Sequence, residues 1–240
     1  MAPQPQSGSG ASPRPSTPTA VSAHRKTIVS LPISEQISQL ISSLTGRAES
    51  TSARQLIGIV GSPGTGKTTF ADFVAAHLPP GTCVIVPMDG FHLSNEVIEG
   101  TPLQLKKGAI ETFDAGGYVS LLKRIHQRTE SVVYAPSYRR GLEDPIAASI
   151  AVPATARYIL TEGNYLLSDQ PPWNEIPKLL TETWFVQVPE HIRTERLIAR
   201  HLSYGMSRDA AAEWAAGTDA ANARYVETTR SRADHIVDWW

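Results

Sequence analysis

The stretch GSPGTGKTT, residues 61–69, limits the possible folds of this chain more than any other feature. Its glycines and proline disfavour regular structure, so the stretch is predicted to be a turn. The apolar run Leu56–Val60 precedes it and is typical of a buried strand. The apolar residues that follow share one face of a predicted helix: Phe70, Phe73, Val74 and Leu78. Strand, turn and helix in this order form the first half of a βαβ unit and predict an α/β fold.

The same stretch fits the phosphate-binding loop pattern G-x-x-x-x-G-K-T. Glycines let successive backbone N–H groups point at an anion, and the helix that follows adds its positive dipole end. Lys67 can reach the β- and γ-phosphates of a nucleotide, and the Thr68 hydroxyl can bind Mg²⁺. A glycine-rich turn without a ligand is the alternative, but the strand and helix around it favour a phosphate site. The predicted nucleotide contacts are Gly61, Ser62, Pro63, Gly64, Thr65, Gly66, Lys67, Thr68 and Thr69.

Apolar strands alternate with amphipathic helices over the rest of the chain. The predicted core strands after the loop are TCVIVPMD (82–89), ARYILTEG (156–163), ETWFVQVP (182–189) and DHIVDWW (234–240). SVVYAP (131–136) is a further short strand that can pair with ASIAVP (148–153). This alternation predicts a parallel sheet covered by helices on both faces, with ligands beyond the carboxyl ends of the strands.

Composition divides the chain into a tail and one domain. Residues 1–30 are rich in Pro, Ser, Gly and Thr and are predicted to be a disordered tail. Residues 31–240 are enough for a single domain, which begins with a helix from Ile33 that is expected to end at Gly46. The net charge of −1 favours neither nucleic acid nor a membrane surface, and no apolar run reaches about 20 residues. The tail lacks the apolar region of a secretory signal, so the cytoplasm is the expected location.

Two carboxylates stand at the predicted carboxyl ends of core strands. Asp89 ends the strand 82–89, and Glu162 lies at the end of the strand 156–163. A carboxylate in such a position can hold Mg²⁺ through water, or can accept the proton of an attacking hydroxyl. Each could instead cap a turn, but two carboxylates beside one phosphate loop favour a functional role.

Several motifs in order resemble the phosphoribulokinase/uridine kinase group of P-loop kinases, within it the nucleoside/nucleotide kinase-like and pantothenate kinase-like branch. They are GSPGTGKTT, VPMDGFHLSN, KGAIETFDAGGY, YAPSYRRGLEDP, LTEGNYLL and ERLIARHL followed by NARYV. The resemblance implies a P-loop NTPase fold, with three α/β/α layers, a five-stranded mainly parallel sheet and a helical lid. The loop strand would lie beside the strand of Glu162. The implied reaction is transfer of the ATP γ-phosphate to an alcohol.

The resemblance also implies roles for individual residues. Asp89 would be the catalytic base, Lys67 would act on the phosphates, and Glu162 would bind Mg²⁺ or its water together with Thr68. The residues that would line the acceptor pocket are His92, Phe113, Asp114, Tyr138, Arg140, Asn164 and Tyr165. Arg139 departs from the group, whose members often carry an acidic residue at this position, so the charge of the acceptor stays open.

A basic helix face is predicted near residues 190–216. Arg193, Arg196 and Arg200 fall on one helical face, which the resemblance identifies as the lid. Arg196 and Arg200 are the candidate phosphate contacts, and a solvated face paired with Glu190 and Glu195 is the alternative. The tryptophans are expected to pack: Trp173, Trp184 and Trp239. Trp214 could lie near the nucleotide base.

Together these features predict an ATP- and Mg²⁺-dependent kinase for a small molecule with a hydroxyl group. The acceptor could be a nucleoside, a sugar or a pantothenate-like metabolite, and a homodimer stays open. A nucleotide-binding regulator without turnover is the alternative, although Lys67, Thr68, Asp89 and Glu162 together argue against it. A GTPase would need an Asn-Lys-x-Asp element, which the sequence lacks.

Overall fold

The computed structural model describes Met1, residues 33–51 and residues 53–240. The predicted tail therefore lies outside the described residues, apart from Met1. The strands are β1 Gln55–Val60, β2 Cys83–Pro87, β3 Val132–Arg139, β4 Asp144–Pro153, β5 Tyr158–Gly163, β6 Glu182–Gln187 and β7 His235–Asp238. The α-helices are α1 Ile33–Ser50, α2 Lys67–Ala76, α3 Asn95–Ile98, α4 Ala115–Gln127, α5 Glu190–Ser203, α6 Arg208–Trp214 and α7 Ala220–Thr229.

Five strands form one parallel sheet in the order β2-β5-β1-β6-β7. The central strands β1 and β5 are buried along their whole length, because helices cover both faces of the sheet. The predicted neighbours, the loop strand and the strand of Glu162, pair in register from Gln55 opposite Tyr158. The predicted five-stranded parallel sheet is confirmed.

Two apolar clusters place the helices in layers on either side of the sheet. On one face, Leu44 of α1 and Phe70 of α2 pack with Ile57 and Trp184. On the other face, Tyr118 of α4 and Val226 of α7 pack with Phe185. Since each of these side chains is buried, the sheet is the middle of three layers, as expected for an α/β/α fold.

Strands β3 and β4 form a separate antiparallel hairpin, which confirms the predicted pairing. The register shifts between Ala135 and Ser137, which bends the hairpin. A 3₁₀ turn, Met88–Phe91, follows β2 and contains Gly90. Gly90 lies so close to the Pro136 carbonyl that a Cβ would collide with it. The missing side chain of Gly90 therefore lets the hairpin approach the carboxyl end of β2.

Two helix boundaries differ from the sequence prediction. α1 continues through Gly46 to Ser50, because Leu44 and Ala48 are both buried and Arg47 pairs with Glu182 of β6. The segments SRDAAAEWAAG (207–217) and TDAANARYVETTRSRA (218–233), which the sequence predicts as two separate helices, are joined by a π-helical turn, Ala215–Asp219. Buried packing in α1 outweighs the weak helix propensity of its glycine.

We expect Gly46→Ala to raise the free energy of unfolding by about 0.5–1 kcal/mol, since alanine loses less conformational freedom in a helix. A Cβ at Gly46 would meet no atom within 4 Å. Urea denaturation measures the change. Gly81→Ala is the matched control, because Gly81 is equally open but has a φ of +74°, where alanine is strained. A lower stability of Gly46→Ala would contradict a continuous helix.

Candidate active site

The loop of residues 61–66 connects the carboxyl end of β1 to the first residue of α2. Gly64 and Gly66 have φ values of +84° and +83°, in the left-handed region that favours glycine. A Cβ at Gly64 would lie 2.8 Å from the Arg193 carbonyl oxygen and 2.8 Å from Leu197 Cγ. The glycines thus serve both the turn and close packing of α5 on the outside of the loop.

Lys67 extends from the start of α2 toward the end of β5. Its Nζ donates to Asn164 Oδ1 at 2.8 Å and to the Ser62 carbonyl at 3.3 Å. Burial lowers the pKa of Lys67, while Glu162 and Asp89 oppose that shift. Asn164, which is predicted to line the acceptor pocket, holds the ammonium group of Lys67.

Glu162 lies beside Thr68, the second residue of α2. Thr68 Oγ1 donates to Glu162 Oε1 at 2.9 Å, and Glu162 is only 5% exposed. Burial, followed by the nearby charge of Asp89, raises the pKa of Glu162. Glu162 is the second-last residue of β5, so the strand extends one residue beyond it.

Asp89 follows β2 by two residues and lies in the 3₁₀ turn Met88–Phe91, so β2 ends earlier than predicted. Because β2 and β5 are parallel neighbours, Asp89 and Glu162 lie at the same edge of the sheet. Arg140, from the β3–β4 hairpin, contacts Asp89 Oδ2 through Nη2 at 3.4 Å. The structure therefore brings together the two predicted carboxylates, the loop lysine and Arg140.

His92 follows this turn and lies among aromatic rings. Its ring centroid is 4.1 Å from that of Phe113 and 4.6 Å from that of Tyr138. His92 Nδ1 lies 2.8 Å from the carbonyl oxygen of Asp89. Burial lowers the pKa of His92 below its ordinary value, although Asp89 opposes the shift. Three predicted acceptor-pocket residues therefore form one cluster next to Asp89.

Two other predicted acceptor-pocket residues, Asp114 and Tyr165, have hydrogen-bond partners within the fold. Asp114 is exposed and caps α4, where its carboxylate accepts from the Gly117 N–H at 2.8 Å. Tyr165 is buried in the core, and its hydroxyl donates to the Gly108 carbonyl at 2.7 Å. Tyr165 borders a cavity of about 350 Å³ whose lining, among the described residues, includes neither Asp89 nor Glu162. Tyr165 nevertheless lies next to Phe113, at 5.7 Å between ring centroids, and Asp114 donates its N–H to the Phe91 carbonyl at 2.8 Å. The acceptor-pocket roles of both residues stay predictions.

The three arginines of α5 differ in their surroundings. Arg193 is buried and donates to the Pro63 carbonyl at 3.4 Å, while Arg196 donates to the Thr65 carbonyl at 3.4 Å. Arg200 lies near enough to Lys67 to lower its pKa further. Arg193 and Arg196 therefore bind the backbone of the loop, and Arg200 adds positive charge near Lys67.

Sequence reasoning missed a cavity beside the loop. It has a volume of about 390 Å³ and is lined by Gly66, Thr69, Arg196, Trp239 and Trp240. Trp239 packs on Phe70 as predicted, with ring centroids 5.2 Å apart, but it also forms a wall of this cavity. Trp214 lies instead near His201, at 6.5 Å between ring centroids. The sequence predicted the strand 234–240 but not its pairing with β6, and it is this pairing that brings the residues after β7 to the loop.

Residues 33–51 and 53–240 contain no group of three or more His, Cys, Asp or Glu side chains placed to hold a metal ion. In the same part of the chain, none of the helices has the length and apolar character to cross a membrane.

Similarity to known proteins shows which class of protein this chain belongs to. No family model matches the chain. A Schizosaccharomyces pombe protein named "Putative uridine kinase" is 32% identical over 194 residues, which cover 77% of this chain and 83% of that protein. An Aspergillus versicolor "ATP-dependent kinase-like protein" is 33% identical over 157 residues, covering 62% of this chain and 87% of that protein.

A solved structure agrees with these relatives. The "putative fructose transport system kinase" from Silicibacter sp. TM1040 superposes with a TM-score of 0.73 and 35% sequence identity, covering 84% of this chain and 98% of that one. The fold and the phosphate loop define a P-loop kinase. The chain belongs to the phosphoribulokinase/uridine kinase group of these kinases.

We expect Arg193→Met to lower the free energy of unfolding by about 1–3 kcal/mol, because it leaves the Pro63 carbonyl without this donor in a buried position. Urea denaturation measures the loss. Arg224→Met, at an exposed position of α7, is the matched control and should change stability by less than about 0.5 kcal/mol. Equal stability of the two variants would show that Arg193 does not anchor α5 to the loop.

Proposed function

We propose that this protein is a kinase that transfers the γ-phosphate of ATP to a hydroxyl group of a small molecule. One observation carries the proposal: the Thr68–Glu162 hydrogen bond, Lys67 and Asp89 all lie at the carboxyl edge of β1, β5 and β2. Phosphoryl transfer depends mainly on positioning and on neutralising charge. This edge offers a cationic loop for phosphates and a carboxylate for the acceptor.

The loop residues would bind the phosphates of ATP. Backbone N–H groups of residues 61–66 and the start of α2 supply donors, and Lys67 supplies a positive charge. Asn164 holds the Lys67 ammonium group at 2.8 Å, so the lysine is oriented in advance. The cavity between Arg196 and Trp239 has apolar and cationic walls suited to the nucleotide base.

Thr68 and Glu162 fit a Mg²⁺ ion. Both present oxygen atoms, which hard cations prefer, and they are already 2.9 Å apart. A magnesium ion held by these two residues would neutralise part of the charge of the phosphates. Glu162 must be ionised to serve there, and its raised pKa reflects the cost of burying that charge without the ion.

Asp89 would accept the proton of the attacking hydroxyl. It is partly exposed at the edge of the sheet, in contrast to the buried Glu162, so an acceptor can reach it. Arg140 contacts Asp89 from the hairpin, and His92 and Tyr138 lie beside it. These residues form the wall on which an acceptor would be held.

The names of the relatives suggest where to look for the acceptor. One relative is named a uridine kinase and one solved structure a fructose transport system kinase, which favours a nucleoside or a sugar. Release of ADP from ATP and Mg²⁺ should be measured with uridine, cytidine, D-fructose, D-ribose and pantothenate. Stimulation by one of them supports the kinase. ATP binding without stimulation by any of them favours the regulator.

We also propose that the protein acts in the cytoplasm and uses neither nucleic acid nor a membrane as partner. A homodimer remains part of this proposal. Sedimentation of the purified protein would measure its oligomeric state.

We expect Asp89→Asn to reduce acceptor-dependent ADP release about 100- to 10,000-fold, because the asparagine side chain cannot take up a proton. Binding of ATP, measured by calorimetry, should persist, since Asp89 is not part of the loop. Asp72→Asn, an exposed position on α2, is the matched control and should retain activity. Full activity of Asp89→Asn would exclude Asp89 as the base.

We expect Glu162→Gln to raise the Mg²⁺ concentration for half-maximal activity about 10- to 100-fold, because an amide is a weaker partner for the ion or its water. Titration of the activity with MgCl₂ measures this concentration. Glu213→Gln, at an exposed position of α6, is the control. An unchanged magnesium requirement would show that Glu162 is not involved with the ion.

A further inference from the structure

We propose that Glu227 of α7 is a positioning residue of the phosphate loop and that it acts through the side chain of Ser62. This inference rests on the proposed function and deepens it, because it assigns part of the affinity for ATP to a residue outside the loop. The loop itself binds the phosphates, and Glu227 holds the loop in the shape that binds them. The two residues are 165 positions apart in the chain, so no local motif links them.

The hydroxyl group of Ser62 binds α7. Ser62 is the second residue of the loop and is only 1% exposed. Its Oγ donates to Glu227 Oε1 at 3.1 Å and lies 3.5 Å from the Ala223 carbonyl oxygen. A hydroxyl group has one hydrogen to donate, and a carboxylate is a stronger acceptor than a carbonyl. Glu227 is therefore the main partner of this hydroxyl.

The carbonyl group of Ser62 binds the rest of the loop. Its oxygen accepts from the Thr65 N–H at 3.2 Å, from Thr65 Oγ1 at 3.0 Å and from Lys67 Nζ at 3.3 Å. A rotation of Ser62 would weaken these three hydrogen bonds together. The orientation of this one residue therefore sets both the turn of the loop and a contact of the lysine that is proposed to bind the phosphates.

The loop needs contacts from outside to keep its shape. Three of the six residues 61–66 are glycines, which lose more conformational freedom on ordering than any other residue. From the side of α5, Arg193 and Arg196 bind the carbonyl groups of residues 63 and 65. Glu227 supplies a contact from the side of α7, and this contact acts on the loop through a side chain instead of a carbonyl.

α7 is a fixed support for this contact. Val226, the residue before Glu227, is fully buried in the cluster that contains Phe185 of β6. The hydroxyl groups of Tyr225 and Ser168 are 2.6 Å apart and tie the same turn of α7 to the segment after β5. Glu227 itself is exposed, so solvent reaches its carboxylate and the cost of holding its charge there is small.

Two variants of Glu227 test the inference by their affinity for ATP. Calorimetry with ATP and Mg²⁺ measures the Kd and needs no acceptor. We expect Glu227→Ala to raise this Kd about three- to tenfold, the scale of one hydrogen bond. Glu227→Gln should remain within about twofold of the unmodified protein, because its amide oxygen can still accept from Ser62. Glu213→Ala, which removes an exposed carboxylate from α6, is the control and should leave the Kd unchanged.

A double-mutant cycle tests whether Glu227 acts through Ser62. Ser62→Ala removes the hydroxyl and should raise the Kd for ATP by a factor similar to that of Glu227→Ala. In the Ser62→Ala background, Glu227→Ala should have no further effect, because the hydrogen bond is already lost. The midpoint of urea denaturation is measured for every variant, and each Kd is measured where all of the variants are folded, so a general loss of stability does not alter the result.

The outcomes distinguish this inference from the proposed function. An unchanged Kd for ATP in Glu227→Ala overturns the role of Glu227 and leaves the kinase intact. Equal rises in Glu227→Ala and Glu227→Gln show that the charge acts instead of the hydrogen bond, and they overturn the role as well. The same conclusion follows if Glu227→Ala has its full effect in the Ser62→Ala background. If the unmodified protein does not bind ATP, the proposed function fails, and this inference fails with it.

Discussion

Parallel pairing of β1 with β5, and of β5 with β2, is the constraint on which the site depends. The pairing places Ile59 opposite Glu162, and Glu162 opposite Pro87, so that three strands reach the same edge together. This pairing alone brings the loop, Glu162 and Asp89 close together, so no long connecting segment is needed to position them. A shift of one residue in β5 would turn Glu162 to the other face of the sheet and separate it from Thr68.

Charge at this edge is balanced only in part. Lys67 and Glu162 lie where water reaches them poorly, so burial lowers the pKa of the lysine and raises that of the carboxyl. Both shifts oppose ionisation, and the mutual attraction of the two groups counters them. Under the proposed function, bound phosphates and a cation would complete this balance.

Local patterns predicted the loop, the core strands and both carboxylates, since each depends on residues close together in the sequence. The failures came from tertiary contacts. Gly46 did not end α1, because Leu44 and Ala48 bury that helix against the sheet. Similarly, Trp239 forms a cavity wall only because β7 places it beside the loop. No pattern in the sequence records these packing partners.

The close packing of α5 on the phosphate loop has a mechanical consequence. Gly64 leaves no room for even a methyl group against Arg193 and Leu197, and Arg193 is tied to the Pro63 carbonyl. The first two turns of this helix are therefore packed directly on the loop. Any displacement of the loop backbone has to move this part of α5 with it, because separating the two would break the Arg193 hydrogen bond and open a void at Leu197.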